Sequence, residues 1–224
     1  AADKLVKLPE SIPTEQAAAM MLQGLTAEML LRRVYRVKAG ETILVQAAAG
    51  GVGLILSQWA KAIGATVIGT VGSDEKAELA RAHGCDYPIV YTRQDFVAEV
   101  KRITDGRKLP VVYDGVGRDT FMKSLDCLHR RGMMASYGNA SGPVEPFPAT
   151  LLAQKGSLFL TRPTLFDYVV TRDELEQASA ELFAVIESGK VKIEVKQRFP
   201  LKDAAEAHRA LESRRTSGST VLTI

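Results

Sequence analysis

A short glycine-rich segment, AAAGGVG at residues 47–53, has the composition of a turn that binds phosphate groups. Aligned with the pattern G-x-G-x-x-G, it supplies Ala48, Gly50 and Gly53. Gly50 would let the backbone approach a pyrophosphate, and Gly53 would let the following helix pack close to its strand. Ala48 requires only that the turn avoid a positive φ at that position. The segment therefore predicts a dinucleotide site at a helix N-terminus, with a purely structural turn as the alternative.

The tip of the next predicted strand indicates which dinucleotide would bind. NAD-binding units usually carry an acidic residue there that binds the ribose 2′-hydroxyl, and this strand tip has none. Instead, Gly72 leaves space, Ser73 supplies a hydroxyl, and Lys76 supplies a cation that would attract a 2′-phosphate. Asp74 and Glu75 favour NADH instead. Ser73 or Asp74 could also simply cap the next helix, with Lys76 in solvent. On balance the pattern favours NADPH over NADH.

The flanking segments predict the scaffold that would hold this site. Short apolar runs alternate with helical patterns, which is typical of βαβ units with a parallel sheet buried on both faces. Six such runs indicate an α/β fold with a doubly wound parallel sheet, the Rossmann arrangement. The predicted strands are Thr42–Gln46, Thr66–Val71, Ile89–Tyr91, Val111–Asp114, Met133–Tyr137 and Ser157–Thr161. The predicted helices between them are Val52–Ile63, Asp74–His83, Asp95–Thr104 and Asp119–Arg130.

The pattern changes after Pro163. A long amphipathic helix is predicted at Arg172–Ser188, followed by a half-exposed strand around Val191–Val195. The sequence then predicts a helix at Asp203–Ser213 and a last strand at Thr220–Ile224.

Composition and charge exclude several classes of protein. The 224 residues are 46% hydrophobic and 25% charged, which is ordinary for a globular protein. A net charge of +3 is too small to indicate a polyanionic partner, and no apolar run approaches the length of a membrane span. The two cysteines, Cys85 and Cys127, are isolated, which fits a reducing compartment. A cytoplasmic protein is therefore expected.

Other side chains that could do chemistry are scattered along the chain. His83, His129 and His208 have no neighbours at a metal-ligand spacing, and no nucleophile motif is present. Neither a metal site nor covalent catalysis is therefore expected. Asp114, at the carboxyl end of a strand, could line a ligand cleft or cap the following helix, and the structural role is slightly favoured.

A cationic segment at Leu30–Lys38 carries four basic residues in nine. Its apolar positions fit one face of a helix, which would leave Arg32, Arg33 and Arg36 outward. A solvated helix face is therefore predicted. An RNA-binding patch is the weaker alternative, because aromatic residues that could stack on bases are nearly absent nearby.

Motifs along essentially the whole chain resemble those of one family. They are ETILVQAAAGGVG, ATVIGTVGSDEKAELARAHG, VVYDGVGRDTF, SYGNASGPV, KGSLFLTRPTLF and PLKDAAEAHRALESRRTSG. These segments are similar to the NADPH-dependent quinone oxidoreductases, the zeta-crystallin-like, zinc-free branch of the medium-chain dehydrogenase/reductases. The resemblance implies an enzyme that reduces a quinone or a related conjugated carbonyl, such as an enone, with NADPH. Alternatives are an enoyl or alkenal reductase, an NADPH-binding module without turnover and, with less support, an RNA-binding protein.

The resemblance also implies where the cofactor would bind, although it identifies no catalytic residue. The pyrophosphate would face Gly51 and Val52, next to the motif glycines Gly50 and Gly53. The adenosine ribose and its 2′-phosphate would lie among Gly72, Ser73, Lys76, Tyr91 and Arg214. Arg215 is the alternative to Arg214 as the second cation. Tyr91 could instead anchor the sheet. The nicotinamide side would be formed by Gly138, Asn139, Ala140, Thr164 and Leu165.

Two further expectations concern organisation. Family members carry a GroES-like catalytic domain ahead of the cofactor domain, and this sequence is expected to begin after most of it. Residues 1–24 would connect from that domain, 25–163 would form the Rossmann domain, and 164–224 would return to the catalytic domain. Family members commonly pair the last strand of the sheet across a two-fold axis, which implies a homodimer through Ser157–Thr161.

Overall fold

Six parallel strands form the central sheet of the computed structural model, which describes residues 4–213 and 216–224. The strands are β1 Thr42–Val45, β2 Thr66–Val71, β3 Tyr87–Val90, β4 Leu109–Asp114, β5 Leu128–Ser136 and β6 Phe159–Thr161. Their order is β3-β2-β1-β4-β5-β6, so the order reverses between β1 and β4. Such a reversal opens a crevice at the carboxyl ends of the strands. The arrangement confirms the predicted doubly wound Rossmann fold.

Helices cover both faces of the sheet. They are α1 Thr14–Glu28, α2 Gly51–Ile63, α3 Asp74–Ala82, α4 Phe96–Ile103, α5 Phe121–Asp126, α6 Thr150–Gln154, α7 Arg172–Glu187 and α8 Ala204–Glu212. One apolar cluster joins the sheet to α1, α2, α3 and α7, and a second joins it to α4 and α5. Two further parallel strands, β7 Val195–Pro200 and β8 Ser219–Thr223, form a separate small sheet. Within the described ranges, no helix is both long and apolar enough to cross a membrane.

The helix predicted at Asp119–Arg130 is shorter, because α5 ends at Asp126 and β5 begins at Leu128. Leu128 is fully buried and pairs with Leu109 of β4. The N–H of Leu109 also donates to the carbonyl of Cys127 at 3.0 Å. Strand pairing therefore overrides the helical pattern of this segment, as tertiary context often does.

The strand predicted around Val191–Val195 is also displaced, since β7 begins only at Val195. The side chain of Gln58 on α2 explains the difference. Its carbonyl oxygen accepts the N–H of Lys192 at 2.9 Å, and its amide donates to the Lys192 carbonyl at 3.0 Å. One buried side chain thus takes the backbone groups that a strand would have paired.

The N-terminal segment contains a helix that the sequence does not predict. Helix α1 starts directly after Pro13, packs against α2 and α7, and continues into a π-helical turn at Met29–Val34. The predicted boundary between residues 24 and 25 falls inside α1. The division into 1–24, 25–163 and 164–224 stays a prediction.

The prediction of a solvated cationic face is wrong for Arg33. Its Nε donates to Oε1 of Glu28 at 3.0 Å, and its Nη1 donates to the carbonyl of Tyr168 at 3.2 Å. Arg32 forms an ion pair with Glu181 at 3.1 Å, while the third arginine of the segment is exposed as predicted. The π-helical turn rotates Arg33 toward α7 because it adds a residue to the helical turn.

Glu28 generates a prediction about the pH dependence of stability. Its side chain is buried, and desolvation raises the pKa of its carboxyl group despite the hydrogen bond from Arg33. The folded chain therefore holds this proton more tightly than the unfolded chain. The resulting stability is present below the unfolded pKa and is lost as pH rises through the raised value.

We expect the unfolding free energy of the wild-type chain to fall relative to that of Glu28→Gln between acid and neutral pH. Urea denaturation of both chains over this pH range measures the difference. Parallel pH profiles would show that Glu28 does not titrate differently in the folded chain.

Candidate nucleotide-binding cleft

A cleft of about 310 Å³ lies at the carboxyl ends of the central strands, where the strand order reverses. Segments that follow β1, β2, β3, β4 and β5 all contribute to its walls. Sequence reasoning missed several lining residues, among them Thr70, Gln94 and Lys123, because they belong to different segments and none was assigned a binding role. Five of the predicted site residues do line the cleft, namely Gly50, Gly72, Lys76, Tyr91 and Ala140.

The glycine turn has the close packing that its motif predicts. A Cβ built on Gly53 would lie 2.4 Å from the carbonyl oxygen of Ala47 and 2.8 Å from the Cα of Ala48, so only glycine fits without displacing backbone. The residue with positive φ in the turn is Ala47, at 56°, whereas Ala48 avoids this region as the sequence requires. Ala48 is fully buried, so its position requires a small residue but not specifically glycine.

Side-chain caps divide the described helices into two groups, since α3, α4 and α7 have one whereas α1, α2, α5, α6 and α8 have none. Ser73, Asp95 and Thr171 accept hydrogen bonds from the first turns of α3, α4 and α7, respectively. Helix α2 begins after Gly50 without a side-chain cap. The first N–H groups of a helix have no acceptor within the helix, and they carry the positive end of its dipole. This end of α2 therefore has the donors that a phosphate group needs.

The residues at the tip of β2 have two kinds of role. The Ser73 hydroxyl accepts the N–H of Lys76 at 3.3 Å, so Ser73 caps α3 as the structural alternative proposed. A hydrogen bond with Ser73 also lowers the pKa of Glu75. Lys76 lines the cleft, and its side chain therefore does not simply extend into solvent. A contact of either residue with a nucleotide stays a prediction.

Gly72 and Tyr91 lie next to each other in the cleft wall. A Cβ built on Gly72 would be 3.2 Å from the Tyr91 hydroxyl oxygen, so a larger residue would press on the tyrosine. Tyr91 directly follows β3 and is 45% exposed, with its hydroxyl at the tip of β2 rather than within the apolar core. This position fits the predicted binding role better than the anchoring alternative. Arg214 and Arg215 lie outside the described residues.

Arg93 is a feature of the cleft rim that sequence reasoning missed. Its guanidinium forms a two-pronged ion pair with Asp74, in which Nη1 donates to Oδ2 at 2.6 Å and Nη2 donates to Oδ1. This pairing lowers the pKa of Asp74. Asp74, one of the two acids that argued against NADPH, therefore has its charge compensated locally, although the pair is exposed and weakened by salt.

The residues predicted on the nicotinamide side are more dispersed. Ala140 lines the cleft, and its N–H donates to the carbonyl of Gly115 at 3.2 Å. Gly138 packs against the same backbone, whereas Asn139 is exposed and borders a separate small cavity. The other two residues start a 3₁₀ turn after β6 and do not line the cleft; they are Thr164, which is exposed, and Leu165, which is buried.

Asp114 has the structural role that the sequence slightly favours. Its Oδ1 accepts the N–H groups of Val116 at 2.8 Å and Gly117 at 3.0 Å. Its Oδ2 accepts the hydroxyls of Thr120 at 2.7 Å and Ser124 at 3.0 Å. The carboxylate is fully buried and shapes the loop after β4 instead of meeting a ligand directly.

Sequence and structure are both similar to those of one group of known proteins. The family described as zinc-binding dehydrogenase matches residues 51–184. A quinone oxidoreductase of Pseudomonas aeruginosa is 55% identical over 222 residues, which are 99% of this chain and 68% of that protein. The crystal structure of Escherichia coli quinone oxidoreductase complexed with NADPH matches 100% of this chain and 69% of its own, with 54% identity and a TM-score of 0.97. The chain belongs to the quinone oxidoreductase family.

The family also has a relative with another named activity. A 2-haloacrylate reductase of Burkholderia sp. is 46% identical over 224 residues, which are 99% of this chain and 67% of that protein. A quinone oxidoreductase and this reductase are therefore both similar to nearly the full length of this chain. The resemblance inferred from the motifs is confirmed, and the identity of the acceptor is the finer question.

The expected absence of a metal site stays a prediction for this member of the quinone oxidoreductase family. Residues 4–213 and 216–224 contain no group of three or more histidine, cysteine or acidic side chains that could hold an ion. His83 instead contacts the carbonyl of Leu79 at 2.7 Å and Glu194 at 2.8 Å. Burial raises the pKa of the Cys85 thiol to about 12, and that of Cys127 likewise, so both remain protonated near neutral pH.

The packing at Gly53 gives a second prediction. Gly53→Ala should lower the free energy of unfolding by about 2–3 kcal/mol, because its Cβ would overlap backbone atoms that cannot move aside. Gly51→Ala is the matched control on the same helical turn. Its Cβ would meet atoms no closer than 3.2 Å, and alanine favours a helix by about 1 kcal/mol over glycine.

Urea denaturation of both variants measures the contrast. The expected result is a large loss for Gly53→Ala and a change within about 1 kcal/mol for Gly51→Ala. A loss for Gly53→Ala as small as that expected for Gly51→Ala would mean that the turn adjusts and that the third glycine of the motif is not required for packing.

Proposed function

We propose that this member of the quinone oxidoreductase family binds NADPH in the cleft and serves hydride transfer to a quinone or a related conjugated carbonyl. One observation carries the proposal: Lys76 and Tyr91 line the cleft beside Gly72, at the strand tip where NAD-binding units have an acid. The relative from Escherichia coli, whose structure is a complex with NADPH, supports the choice of cofactor.

Each part of the dinucleotide has a matching part of the cleft in this proposal. The pyrophosphate would lie at the N-terminus of α2, where Gly51, Val52 and Gly53 provide backbone donors without a competing side-chain cap, next to Gly50, whose own N–H donates to the Ala47 carbonyl. The 2′-phosphate would lie beside Lys76, with Tyr91 as a further hydrogen-bond donor. Ser73 and Arg214, which lies outside the described residues, remain candidates for binding the 2′-phosphate.

NADPH, when bound, supplies the hydride, so the protein has to orient the reactants and exclude water. A conjugated acceptor spreads the incoming charge over its own π system, which lowers the need for a general acid at the carbonyl. In this proposal, α2 and the segments after β2 and β3 would provide the nucleotide half of this arrangement. No side chain is assigned to acid–base catalysis.

A related acceptor class is the second candidate. Activated alkenes are supported as acceptors by the 2-haloacrylate reductase among the relatives, because the name of that enzyme indicates a conjugated acid as its substrate. NADPH oxidation measured with a quinone, an enone and an acrylate separates these possibilities. Binding of NADPH without oxidation in any of these assays would favour a binding module without turnover.

A homodimer through β6 is a further part of the proposal. This strand is at the edge of the sheet and pairs only with β5 within the described residues. Phe159 is 54% exposed and Leu160 is 38% exposed, so the edge is apolar as well as unpaired. An open apolar edge needs a covering partner, and a second copy of the same strand would provide one. A cytoplasmic location, suggested by the two unpaired cysteines, is proposed as well.

Cofactor selectivity is tested by titrating the chain with NADPH and NADH in a calorimeter. Lys76→Ala should weaken NADPH binding by about 10- to 100-fold, because it removes a charge-assisted contact with the 2′-phosphate, and should change NADH binding by less than about threefold. Lys101→Ala is the control, since Lys101 is an exposed lysine of α4 outside the cleft. Equal losses for both cofactors would mean that Lys76 supports the fold and not the phosphate.

The dimer is tested by placing a charge on the strand edge. Leu160→Lys should shift the chain from dimer to monomer in sedimentation experiments, because a lysine on an edge strand opposes pairing with another strand. Val170→Lys is the control, as Val170 is 61% exposed and lies outside β6. A dimer that persists in the Leu160→Lys chain, or a wild-type monomer, would contradict pairing through β6.

A further inference from the structure

A buried chain of hydrogen bonds crosses the floor of the cleft. The Thr70 hydroxyl donates to Oε1 of Gln46, and Nε2 of Gln46 donates to the Ser124 hydroxyl at 3.0 Å. Ser124 in turn donates to Oδ2 of Asp114 at 3.0 Å. All four side chains are at most 1% exposed. The chain therefore joins β2, β1, α5 and β4 at the carboxyl edge of the sheet.

The direction of these hydrogen bonds follows from the chemistry of Asp114. Its carboxylate accepts two backbone N–H groups, so Ser124 must donate to it and can only accept from Gln46. The Gln46 amide then presents its oxygen to Thr70, which must donate its hydroxyl proton. The oxygen of Thr70 is left as an acceptor. It faces the N–H of Ala47 at 3.3 Å.

Ala47 is the residue at which this chain meets the glycine turn. Its φ of 56° lies in the left-handed region, which alanine rarely adopts because of its Cβ. The next bonds of the turn depend on this conformation: the N–H of Ala48 donates to the Thr70 carbonyl at 2.9 Å, and the N–H of Gly50 donates to the Ala47 carbonyl at 2.9 Å. Gly50 is the residue from which α2 begins.

We infer that Thr70 is a positioning residue for the pyrophosphate site. With the buried chain behind it, the Thr70 hydroxyl holds Ala47 in the left-handed conformation and so places Gly50 and the first N–H groups of α2 toward the cofactor. The inference rests on the proposed function, because it concerns the binding of NADPH. It also explains how the turn keeps alanine where glycine would adopt the same φ without strain.

The opposite edge of the sheet provides a matched control. The Thr104 hydroxyl donates to the Val100 carbonyl at 2.8 Å and accepts the N–H of Lys108 at 3.1 Å. Lys108 has a φ of 61°, so Thr104 supports a left-handed residue in the same way as Thr70 does. Both threonines are buried, but Thr104 precedes β4 and lies at the edge away from the cleft. Thr104→Val should therefore reproduce the structural cost without the effect on binding.

The experiment compares NADPH affinity by calorimetry with the midpoint of urea unfolding. Thr70→Val should weaken NADPH binding by about 10-fold or more, a loss typical for a hydrogen bond whose partners stay buried, whereas Thr70→Ser should stay within about threefold of wild type. Thr104→Val should lower the unfolding midpoint similarly and leave NADPH affinity unchanged. In a chain that already carries Ala47→Gly, Thr70→Val should cost at most about threefold, because glycine needs no support at positive φ.

The last comparison separates positioning from a general structural role. A full loss of affinity on Thr70→Val in the Ala47→Gly chain, or an equal loss on Thr104→Val, would overturn the inference while leaving the proposed function intact. Failure of the folded wild-type chain to bind NADPH would contradict the proposed function and the inference together. An unchanged affinity in Thr70→Val, with wild-type binding present, would contradict the inference alone.

Discussion

The close contact between α2 and the turn before it is the constraint on which the cleft depends. At Gly53 the helix approaches the backbone of Ala47 and Ala48 so closely that no Cβ fits between them. This approach brings the N-terminus of α2 to the carboxyl edge of the sheet, where the strand order reverses. The dipole and the free N–H groups of the helix therefore face the crevice that the topology opens. Topology and local packing produce the same anion-binding position.

Charge around the strand tips is the basis proposed for cofactor selectivity. A neutral tip of β2 leaves the cleft without the acid that a free ribose hydroxyl would need, and Lys76 adds a cation to the wall. Arg93 compensates the charge of Asp74, the first residue of α3. Because that ion pair is exposed, its effect depends on ionic strength, whereas the glycine at position 72 and the half-exposed Tyr91 shape the site independently of salt. Shape and charge therefore contribute separately to the preference proposed for NADPH.

Sequence patterns predicted the fold well where the hydrophobic periodicity of an element agrees with the glycine or proline residues that bound it. The apolar run of β2 lies between Gly64 and Gly72, and its predicted and observed bounds are the same. The errors arise where a distant side chain decides the local backbone. Gln58 takes the hydrogen bonds of Lys192 and delays β7, and Leu128 joins the sheet instead of extending α5.

In the candidate site, too, local motifs could be predicted from the sequence, whereas contacts between distant side chains could not. The glycine turn and the residues after β2 form continuous motifs, so they could be found from sequence. Thr70, Gln46 and Ser124 belong to three separate elements, and only the fold brings their side chains together. Their contribution is also indirect, since they act on the backbone of Ala47 and carry no signature of a binding residue. Residues of this kind become visible only when the hydrogen bonds of a buried polar group are followed from donor to acceptor.

Most residues that line the cleft lie in or after the strands of a single sheet, and this origin separates cofactor binding from the choice of acceptor. Lining residues follow five consecutive strands of one sheet, and the buried chain from Thr70 to Asp114 links three of these strands. The proposed nucleotide site is therefore built by a single folding unit whose parts constrain each other. The acceptor has only to approach the nicotinamide end, so its contacts can vary while the nucleotide half stays the same. This separation accounts for the similarity of one chain both to quinone oxidoreductases and to a 2-haloacrylate reductase.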